Sequence, residues 1–234
     1  MTGRVPALTE RVLLVGIDDA PPVPLQQGSP AAGDFRGYEV DLLEALALRL
    51  CVTLEYRRAY WSVIVGDLAA GRVDAVCSAA TVTAERARTV DFCAPHLNIT
   101  LAVVTRAGDR AGTRLEGRRV GVRRGTTAEE YVRNHVVVEP AALTEFNDEL
   151  YAALAAGSLD AIVDDAPIAA HFVRVVRGLQ LGGILPETDA AYAIMVRKGN
   201  DVLRGAIDSA LAALEADGVL GALRTRWGHV VMHA

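Results

Sequence analysis

The sequence predicts an α/β protein of two lobes, each built on a mainly parallel sheet flanked by helices. Strand-like and helix-like segments alternate in the order β, loop, α, β, α, β, and this order builds a parallel sheet. A second observation is an internal repeat: AAGRVDAVCS at residues 69–78 recurs as AAGSLDAIVD at residues 155–164. Because one helix–glycine–strand unit is built twice, we expect two similar lobes.

The composition of the 234-residue chain fits a globular protein and excludes several classes of function. Hydrophobic residues make up 51% of the chain, yet no apolar run approaches the ~20 residues of a membrane helix. The net charge is −5 and the charges are interspersed, so no basic stripe indicates nucleic-acid binding. The first ten residues lack the apolar segment of a signal peptide, so a cytosolic protein and the mature part of an exported one both remain open.

The cysteines and histidines show no pattern of a metal site. Cys51, Cys77 and Cys93 are widely spaced in apolar sequence, which favours buried thiols over one disulfide with a free thiol. Only His229 and His233 share helical spacing, in a tail that need not be helical. We therefore predict neither a metal nor a cofactor.

The first lobe begins with a buried strand over residues 11–17, which is followed by Asp18 and Asp19. A loop over residues 21–37 follows, and its prolines forbid a regular element. The spacing of apolar residues then predicts an amphipathic helix over residues 38–50 and a half-buried strand over residues 52–58.

The stretch from residue 61 to residue 95 carries the strongest candidate site of this lobe. It predicts a short helix, a buried strand over residues 73–77, a loop of small residues at 78–81 and a second helix from Thr83. Ligands of α/β sheets bind where a strand ends and the next helix begins. The candidate contacts in this stretch are Ser78, Thr81 and Arg86.

A change of composition after the apolar run 99–105 marks the end of the first lobe. The segment RRVGVRRG then repeats the pattern of a strand with glycine, and a helix follows. Thr126 and Thr127 each stand three residues before a glutamate, which is the capping-box spacing. Such a helix start can accept an anion, and an ordinary capped helix is the alternative.

The rest of the second lobe follows the plan of the first. Asn147 is predicted to cap a helix that reaches Ala156, a strand spans residues 159–163, and Asp165 opens a further helix. An aspartate there is either a structural cap or a ligand contact. If the lobes face each other, Arg86 and Asp165 converge on a cleft, as a zwitterion would require.

A strand and two helices after residue 191 have no counterpart inside the second lobe. We expect these elements to return to the first lobe and complete it, so that two connecting strands near residues 104–107 and 189–193 form a hinge. The predicted lobes are residues 1–105 with 192–234, and residues 106–191.

Long segments of the chain resemble the family 3 extracellular solute-binding proteins, which have the type 2 periplasmic binding fold and serve polar amino acid uptake. The resemblance covers nearly the whole chain. It rests on GYEVDLLEALA, WSVIVGDLAAGRVDAVCSAATVTAERARTVDF, LEGRRVGVRRGTTAEEY, LYAALAAGSLDAIVDDAPIA, AYAIMVRKGN and ADGVLGALRTRW. It implies two lobes joined by a two-strand hinge.

The resemblance also implies roles for individual residues. Arg86 stands where the family holds the ligand carboxylate, Asp165 where it holds the α-ammonium, and Thr127 where a backbone N–H meets the carboxylate. Trp61 matches the aromatic that packs on the ligand side chain, although a Trp at this point could instead cover the core. The other predicted ligand-lining residues are Asp18, Ser78, Ala79, Thr81 and Thr126.

An aspartate at position 18 could meet a distal cation on the ligand, or it could cap the loop that follows. The first role favours a polar or cationic amino acid over a small apolar one. Two departures from the family pattern bear on this point: the loop APPVPLQQ lacks the aromatic residues often found there, and Ala79 replaces a residue that is often Ser or Gly.

The implied function is binding of a free α-amino acid in the cleft between two hinged lobes, as the substrate-binding component of an ABC-type uptake system. The implied partners are the amino acid and the membrane permease of an ABC transporter, with no nucleic acid. The implied state is a monomer in the periplasm or outside the cell, with or without a lipid tether.

Two alternatives remain open. The first alternative is an enzyme, because the scaffold also resembles that of cyclohexadienyl dehydratases. In those enzymes a glutamate just after the second-lobe aspartate acts as general acid. In this chain the run DDAPIAA has no carboxylate after Asp165, which favours a binding protein over an enzyme. An amino-acid-sensing domain of a receptor would bind its ligand in the same way, and only flanking sequence would distinguish it.

Overall fold

The structure is a computed structural model that describes residues 12–136, 141–144 and 146–231. These residues divide into two compact units. Unit 1 contains residues 12–98 and 191–228, and unit 2 contains residues 99–190 with the last described residues. No helix in the described ranges is long and apolar enough to cross a membrane.

The described residues form twelve strands and seven α-helices. The strands are β1 (Val12–Asp18), β2 (Thr53–Ala59), β3 (Ala75–Val76), β4 (Val90–Phe92), β5 (Leu97–Ile99), β6 (Leu101–Arg106), β7 (Val120–Arg123), β8 (Ala142–Thr144), β9 (Ala161–Asp165), β10 (Leu179–Ile184), β11 (Ala190–Tyr192) and β12 (Met195–Arg197). The helices are α1 (Tyr38–Leu50), α2 (Trp61–Ala69), α3 (Thr127–His135), α4 (Asn147–Ala155), α5 (Ala166–Val175), α6 (Asp201–Ala216) and α7 (Val219–Val231).

Unit 1 is built on a five-stranded sheet in the order β2–β1–β3–β12–β4. Strand β1 pairs parallel with β2 and β3, whereas β12 pairs antiparallel with β3 and β4. Its core includes Trp61, Ile64 and Leu68 of α2, packed against Val76 and Met195 of the sheet. The carboxyl ends of β1 and β3 therefore lie side by side at one edge of this sheet.

Unit 2 is built on a second five-stranded sheet in the order β10–β6–β9–β7–β8. Strand β7 pairs parallel with β8 and β9, whereas β6 pairs antiparallel with β9 and β10. The prediction of mainly parallel sheets is therefore too simple. In each sheet, the strand that enters from outside the repeated unit, β12 or β6, runs against its neighbours.

The chain crosses from unit 1 to unit 2 between Asn98 and Ile99, and not between residues 105 and 106 as predicted. The apolar run 99–105 misplaced this boundary because most of it is β6, which is bonded into the sheet of unit 2. The return crossing lies between Ala190 and Ala191, one residue before the predicted position. Strands β5 and β11 at these crossings pair with each other.

Several local predictions need correction. The helix predicted from Thr83 is only a 3-10 turn over Arg86–Arg88, because β-branched residues and β4 follow at once. Strand β3 is shorter than the predicted 73–77. Phe146, not Asn147, is the N-cap of α4, and α7 continues to Val231, past the end near Trp227 that the sequence predicts.

The cysteines are free, and two of the three are buried. Cys77 and Cys93 are buried, as the apolar sequence around them indicates. Cys51 is exposed, and it is the C-cap of α1 in the left-handed conformation, with φ 55°. The prediction of buried cysteines is therefore wrong for Cys51.

Candidate functional site

The loop Ser78–Thr81, called the 78–81 loop below, follows β3 in unit 1. Cys77 N–H, just before it, donates to the Gly16 carbonyl of β1 at 3.3 Å. At its other end, the Ala80 carbonyl accepts from Ala193 N–H at 3.0 Å, and Thr81 forms an isolated bridge with Tyr192. The loop is thus attached to the first strand and to the returning segment of unit 1.

Arg86 lies directly after this loop and folds back on it. Its Nη1 donates to the Thr81 carbonyl at 2.8 Å, and its guanidinium carbon lies 4.8 Å from the ring centroid of Trp61. The Arg86 backbone N–H donates to Thr83 Oγ1 at 3.1 Å. The structure therefore brings Trp61, Thr81 and Arg86 into one group and fixes the guanidinium from two sides.

Trp61 is mostly a core residue. Its relative exposure is 6%, and its ring packs with Ile64, Leu68 and Val76. The position favours the core-covering alternative over free exposure of the ring. Its contact with Arg86 makes Trp61 a support of the cation as well.

Asp18 and Ser78 lie together at the ends of β1 and β3. Asp18 N–H donates to Ser78 Oγ at 3.1 Å, and Asp18 Oδ1 accepts from Ala20 N–H at 3.0 Å. The neighbouring Asp19 forms an ion pair with Arg58 at 2.8 Å. The Asp18 carboxylate thus caps the loop after β1, which is the structural role left open by the sequence.

A buried polar network lies under the 78–81 loop. Glu39 Oε1 and Oε2 both accept from Ala79 N–H at 3.0 Å. Gln26 Nε2 donates to Glu39 Oε2 at 3.0 Å and to the Cys77 carbonyl at 2.5 Å. The Gln26 carbonyl oxygen accepts from Ser78 Oγ at 3.4 Å. Both Gln26 and Glu39 are fully buried.

His96 completes this network. Its Nε2 lies 3.6 Å from Glu39 Oε1, and neither ring nitrogen has a hydrogen-bond partner among the described residues. Burial raises the pKa of Glu39 to about 7 and lowers the pKa of His96 to about 3, the latter with help from the Arg224 cation. Burial also raises the pKa of the Cys77 thiol well above 9. Desolvation thus favours the neutral form of all three groups.

These shifts predict opposite effects of pH on stability. For Glu39, the pKa is raised from 4.5 to about 7, so its contribution is present below pH 4.5 and is lost as the pH rises through about 7. For His96, the pKa falls from 6.5 to about 3, so its contribution is present above pH 6.5 and is lost as the pH falls through about 3. Between about pH 4.5 and 6.5 the two effects oppose each other.

We therefore expect the variants His96→Asn and Glu39→Gln to change the pH dependence of stability in opposite directions. Relative to the wild type, His96→Asn gains unfolding free energy as the pH falls from 6.5 to 4.5, by up to about 1.4 kcal/mol per pH unit. Glu39→Gln gains it as the pH rises over the same interval. Urea unfolding at several pH values measures both slopes, and parallel curves for wild type and variants would contradict the prediction.

In unit 2, α3 begins as the capping pattern predicts. Thr126 is its N-cap, and the Thr126 hydroxyl accepts from Glu129 N–H at 3.3 Å and donates to the Arg123 carbonyl at 2.7 Å. The Glu129 carboxylate accepts from Gly125 N–H at 2.7 Å, one residue earlier than a standard capping box. Thr127 is the first helical residue and is half-buried. The Thr126 side chain thus has a local structural role, whereas the first N–H groups of α3 lack intrahelical partners.

Asp165 ends β9 and is the N-cap residue of α5 in unit 2. It is 8% exposed, and its side chain makes no capping hydrogen bond to the helix. The preceding Asp164 differs: it accepts from Tyr151 OH at 3.1 Å and from Asp165 N–H at 2.9 Å. Burial and the Asp165 charge raise the pKa of Asp164 to about 7. The two adjacent carboxylates therefore have different environments.

Each unit thus gathers its own predicted residues. Unit 1 holds Asp18, Trp61, Ser78, Ala79, Thr81 and Arg86 at the ends of β1 and β3 and around the 3-10 turn. Unit 2 holds Thr126, Thr127 and Asp165 at two helix starts. The sequence interpretation missed Gln26, Glu39 and His96, which underlie the 78–81 loop. One signal was present, since Glu39 shares a helix face with Leu42, Leu43 and Leu46, where an unpaired charge is unexpected.

Comparison with known proteins identifies relatives along nearly the whole chain. The sequence profile of the bacterial extracellular solute-binding proteins, family 3, matches residues 13–230. The L-cystine-binding protein TcyJ of Escherichia coli is 29% identical over 224 residues, which cover 92% of this chain and 82% of that protein. An L-arginine-binding protein of Pseudomonas aeruginosa is 30% identical over 221 residues, 89% of this chain and 85% of that protein.

Solved structures share the fold. An ancestral arginine-binding protein bound to glutamine superposes with a TM-score of 0.84 at 28% identity. The match covers 93% of this chain and 98% of the other. The predicted two-lobe α/β fold of the type 2 periplasmic binding proteins is therefore confirmed.

Proposed function

Because the chain belongs to the bacterial extracellular solute-binding proteins of family 3, we propose that it binds a free α-amino acid as the substrate-binding component of an ABC-type uptake system. The relatives named above are binding proteins for L-cystine and L-arginine, which supports an amino acid as ligand. The proposed partner is the membrane permease of an ABC transporter. The proposed location is the periplasm or the cell exterior, and the proposed state is a monomer.

The geometry of Arg86 carries this proposal. Its guanidinium is fixed by the Thr81 carbonyl at 2.8 Å and by the Trp61 ring at 4.8 Å, beside the loop that follows β3, and ligands of α/β proteins bind at such loops. A planar guanidinium binds a carboxylate through two parallel hydrogen bonds. We assign the ligand α-carboxylate to Arg86, with the N-terminus of α3 at Thr127 as a second group suited to an anion.

Asp165 is the proposed partner of the α-ammonium. It is a largely buried carboxylate at the start of α5, and its side chain is not used as a helix cap. A carboxylate with little access to water binds an ammonium by a charge-assisted hydrogen bond. Arg86 and Asp165 would then bind the carboxylate and the ammonium that every free α-amino acid carries.

Specificity for the ligand side chain is proposed to come from unit 1 near Asp18 and Trp61. Both side chains are already engaged, Asp18 with Ala20 N–H and Trp61 with the core and Arg86. A polar or cationic ligand side chain can donate a hydrogen bond to the Asp18 carboxylate, whereas a small apolar side chain cannot. We therefore propose a preference for a polar or cationic amino acid. We propose no enzymatic activity, because no carboxylate follows Asp165 in the run DDAPIAA to act as general acid.

A thermal-shift screen of the twenty proteinogenic amino acids with L-cystine and L-ornithine tests the proposal. A ligand at about 100 times its dissociation constant adds about 2.7 kcal/mol to the unfolding free energy, which raises the melting temperature measurably. We expect one or a few polar or cationic amino acids to stabilise the protein. A strict preference for glycine or alanine would contradict the side-chain assignment, and no shift with any amino acid would contradict the function.

A further inference from the structure

The 78–81 loop contains a backbone conformation that its own sequence does not favour. Ala79 has φ 49°, in the left-handed region that residues with a Cβ atom rarely adopt. Glycine takes this conformation without steric cost, but position 79 is alanine. Something outside the loop must therefore hold Ala79 in place.

The group that holds it is Glu39, forty residues earlier in the chain. Its two carboxylate oxygens both accept from Ala79 N–H at 3.0 Å, and the side chain is completely buried. Glu39 lies in the first turn of α1, and Glu39 N–H donates to the Leu25 carbonyl at 3.1 Å. This close approach requires Gly37, because a Cβ atom there would clash with the Leu25 carbonyl oxygen.

Gln26 extends the same support to the residues before Ala79. Its amide donates to Glu39 and to the Cys77 carbonyl, and its carbonyl oxygen accepts from Ser78 Oγ. Three consecutive residues, Cys77, Ser78 and Ala79, are thus bonded to one buried pair. None of the three needs a ligand to be held in this arrangement.

We propose that Glu39, with Gln26, is a positioning residue that holds the 78–81 loop ready for its ligand by fixing Ala79 in the left-handed conformation. The inference rests on the proposed function in one respect, which is that this loop contacts the amino acid. Glu39 itself acts through the loop and does not touch the ligand. Loss of its carboxylate should therefore release the loop and weaken binding.

A metal site is the competing interpretation of the same residues. Donor atoms of Glu39, Cys77 and His96 lie within 4.8 Å of one another, and such ligands suit Zn²⁺. The contacts favour the hydrogen-bond network instead, because both oxygens of Glu39 already accept N–H donors from Ala79 and Gln26. Elemental analysis separates the two: one zinc per chain, lost in Glu39→Leu, would overturn the positioning role.

The test combines Glu39→Leu, which removes every acceptor at similar volume, with Ala79→Gly, which removes the need for support. Glu44→Gln, on an exposed position of the same helix, is the matched control. In the ligand-free protein, we expect Glu39→Leu to speed hydrogen exchange in the 78–81 loop by at least about tenfold, and Glu44→Gln to leave it unchanged. Unchanged exchange in Glu39→Leu would overturn the proposal whether or not any amino acid binds.

The second readout is the affinity for one amino acid of the thermal-shift screen, called the panel below. This is the amino acid that raises the melting temperature most. We expect Glu39→Leu to weaken binding by at least about tenfold in the wild type, and by less than about threefold when the double variant with Ala79→Gly is compared with Ala79→Gly alone. Glu39→Gln keeps one acceptor and is expected to lie between. If Glu39→Leu is too unstable to measure, the same comparison is made with Glu39→Gln, alone and together with Ala79→Gly. An equal loss of affinity with and without Ala79→Gly would overturn the positioning role, since the loss would then reflect general damage to unit 1.

Discussion

Replacing Arg86 with alanine is expected to weaken amino acid binding by about 100-fold or more. Two charge-assisted hydrogen bonds to a carboxylate are worth about 1.5–3 kcal/mol each, and Arg86→Ala removes both. Arg86→Lys keeps the positive charge but loses the planar pair of donors, so we expect a clear but smaller loss of about tenfold. Titration calorimetry with the leading ligand of the panel measures both losses.

The matched control for this prediction is Arg88→Ala. Arg88 lies on the same 3-10 turn and is exposed, whereas Arg86 is half-buried against Trp61 and Thr81. We expect Arg88→Ala to bind within about threefold of the wild type, because surface charges contribute little. Equal losses in the two variants would show that the turn matters only through its net charge.

Replacing Asp165 with asparagine is expected to weaken binding by about 10- to 100-fold. The substitution keeps the size of the side chain and a good N-cap residue for α5, but removes the charge that the α-ammonium requires. The loss should appear in the affinity and not in the melting temperature of the ligand-free protein. Calorimetry and thermal unfolding of the same preparation separate the two.

Asp164→Asn provides the adjacent control. Asp164 accepts hydrogen bonds from Tyr151 OH and Asp165 N–H, so its replacement should lower stability by about 1–3 kcal/mol while affinity changes by less than about threefold. The opposite pattern, a loss of affinity in Asp164→Asn with wild-type affinity in Asp165→Asn, would show that the two carboxylates have been assigned in the wrong order.

The sequence is sufficient to predict the two-lobe α/β architecture, because the spacing of apolar residues and the internal repeat are local patterns. The repeat of AAGxxDA predicts a helix followed by a strand twice, and both pairs form, although β3 is shorter than 73–77 and β9 lies two residues later than 159–163. The antiparallel direction of β6 and β12 cannot be predicted from local patterns, because the sequence of an apolar strand does not indicate which strands it pairs with. For the same reason, the sequence predicts residues 99–105 in the first lobe, whereas they belong to unit 2.

In the candidate site, too, the residues that local patterns mark are predicted, and those that depend on contacts between distant parts of the chain are not. Thr127 and Asp165 lie at helix starts, which sequence patterns mark directly, whereas Arg86 begins a 3-10 turn where the sequence predicts a helix. Glu39 acts on Ala79 across forty residues, through a contact that exists only after Gly37 has brought α1 against Leu25. No local pattern encodes such a contact, although a glutamate on an apolar helix face could have indicated a buried partner.

Titration calorimetry of the wild-type protein with three related compounds tests the central claim most directly. The compounds are the leading amino acid of the panel, its α-carboxamide, and its analogue without the amino group. We expect one molecule of the free amino acid per chain, and binding at least about tenfold weaker for each analogue, because each lacks one of the two charges assigned to Arg86 and Asp165. Equal affinity for all three compounds would contradict recognition of a free α-amino acid by this protein.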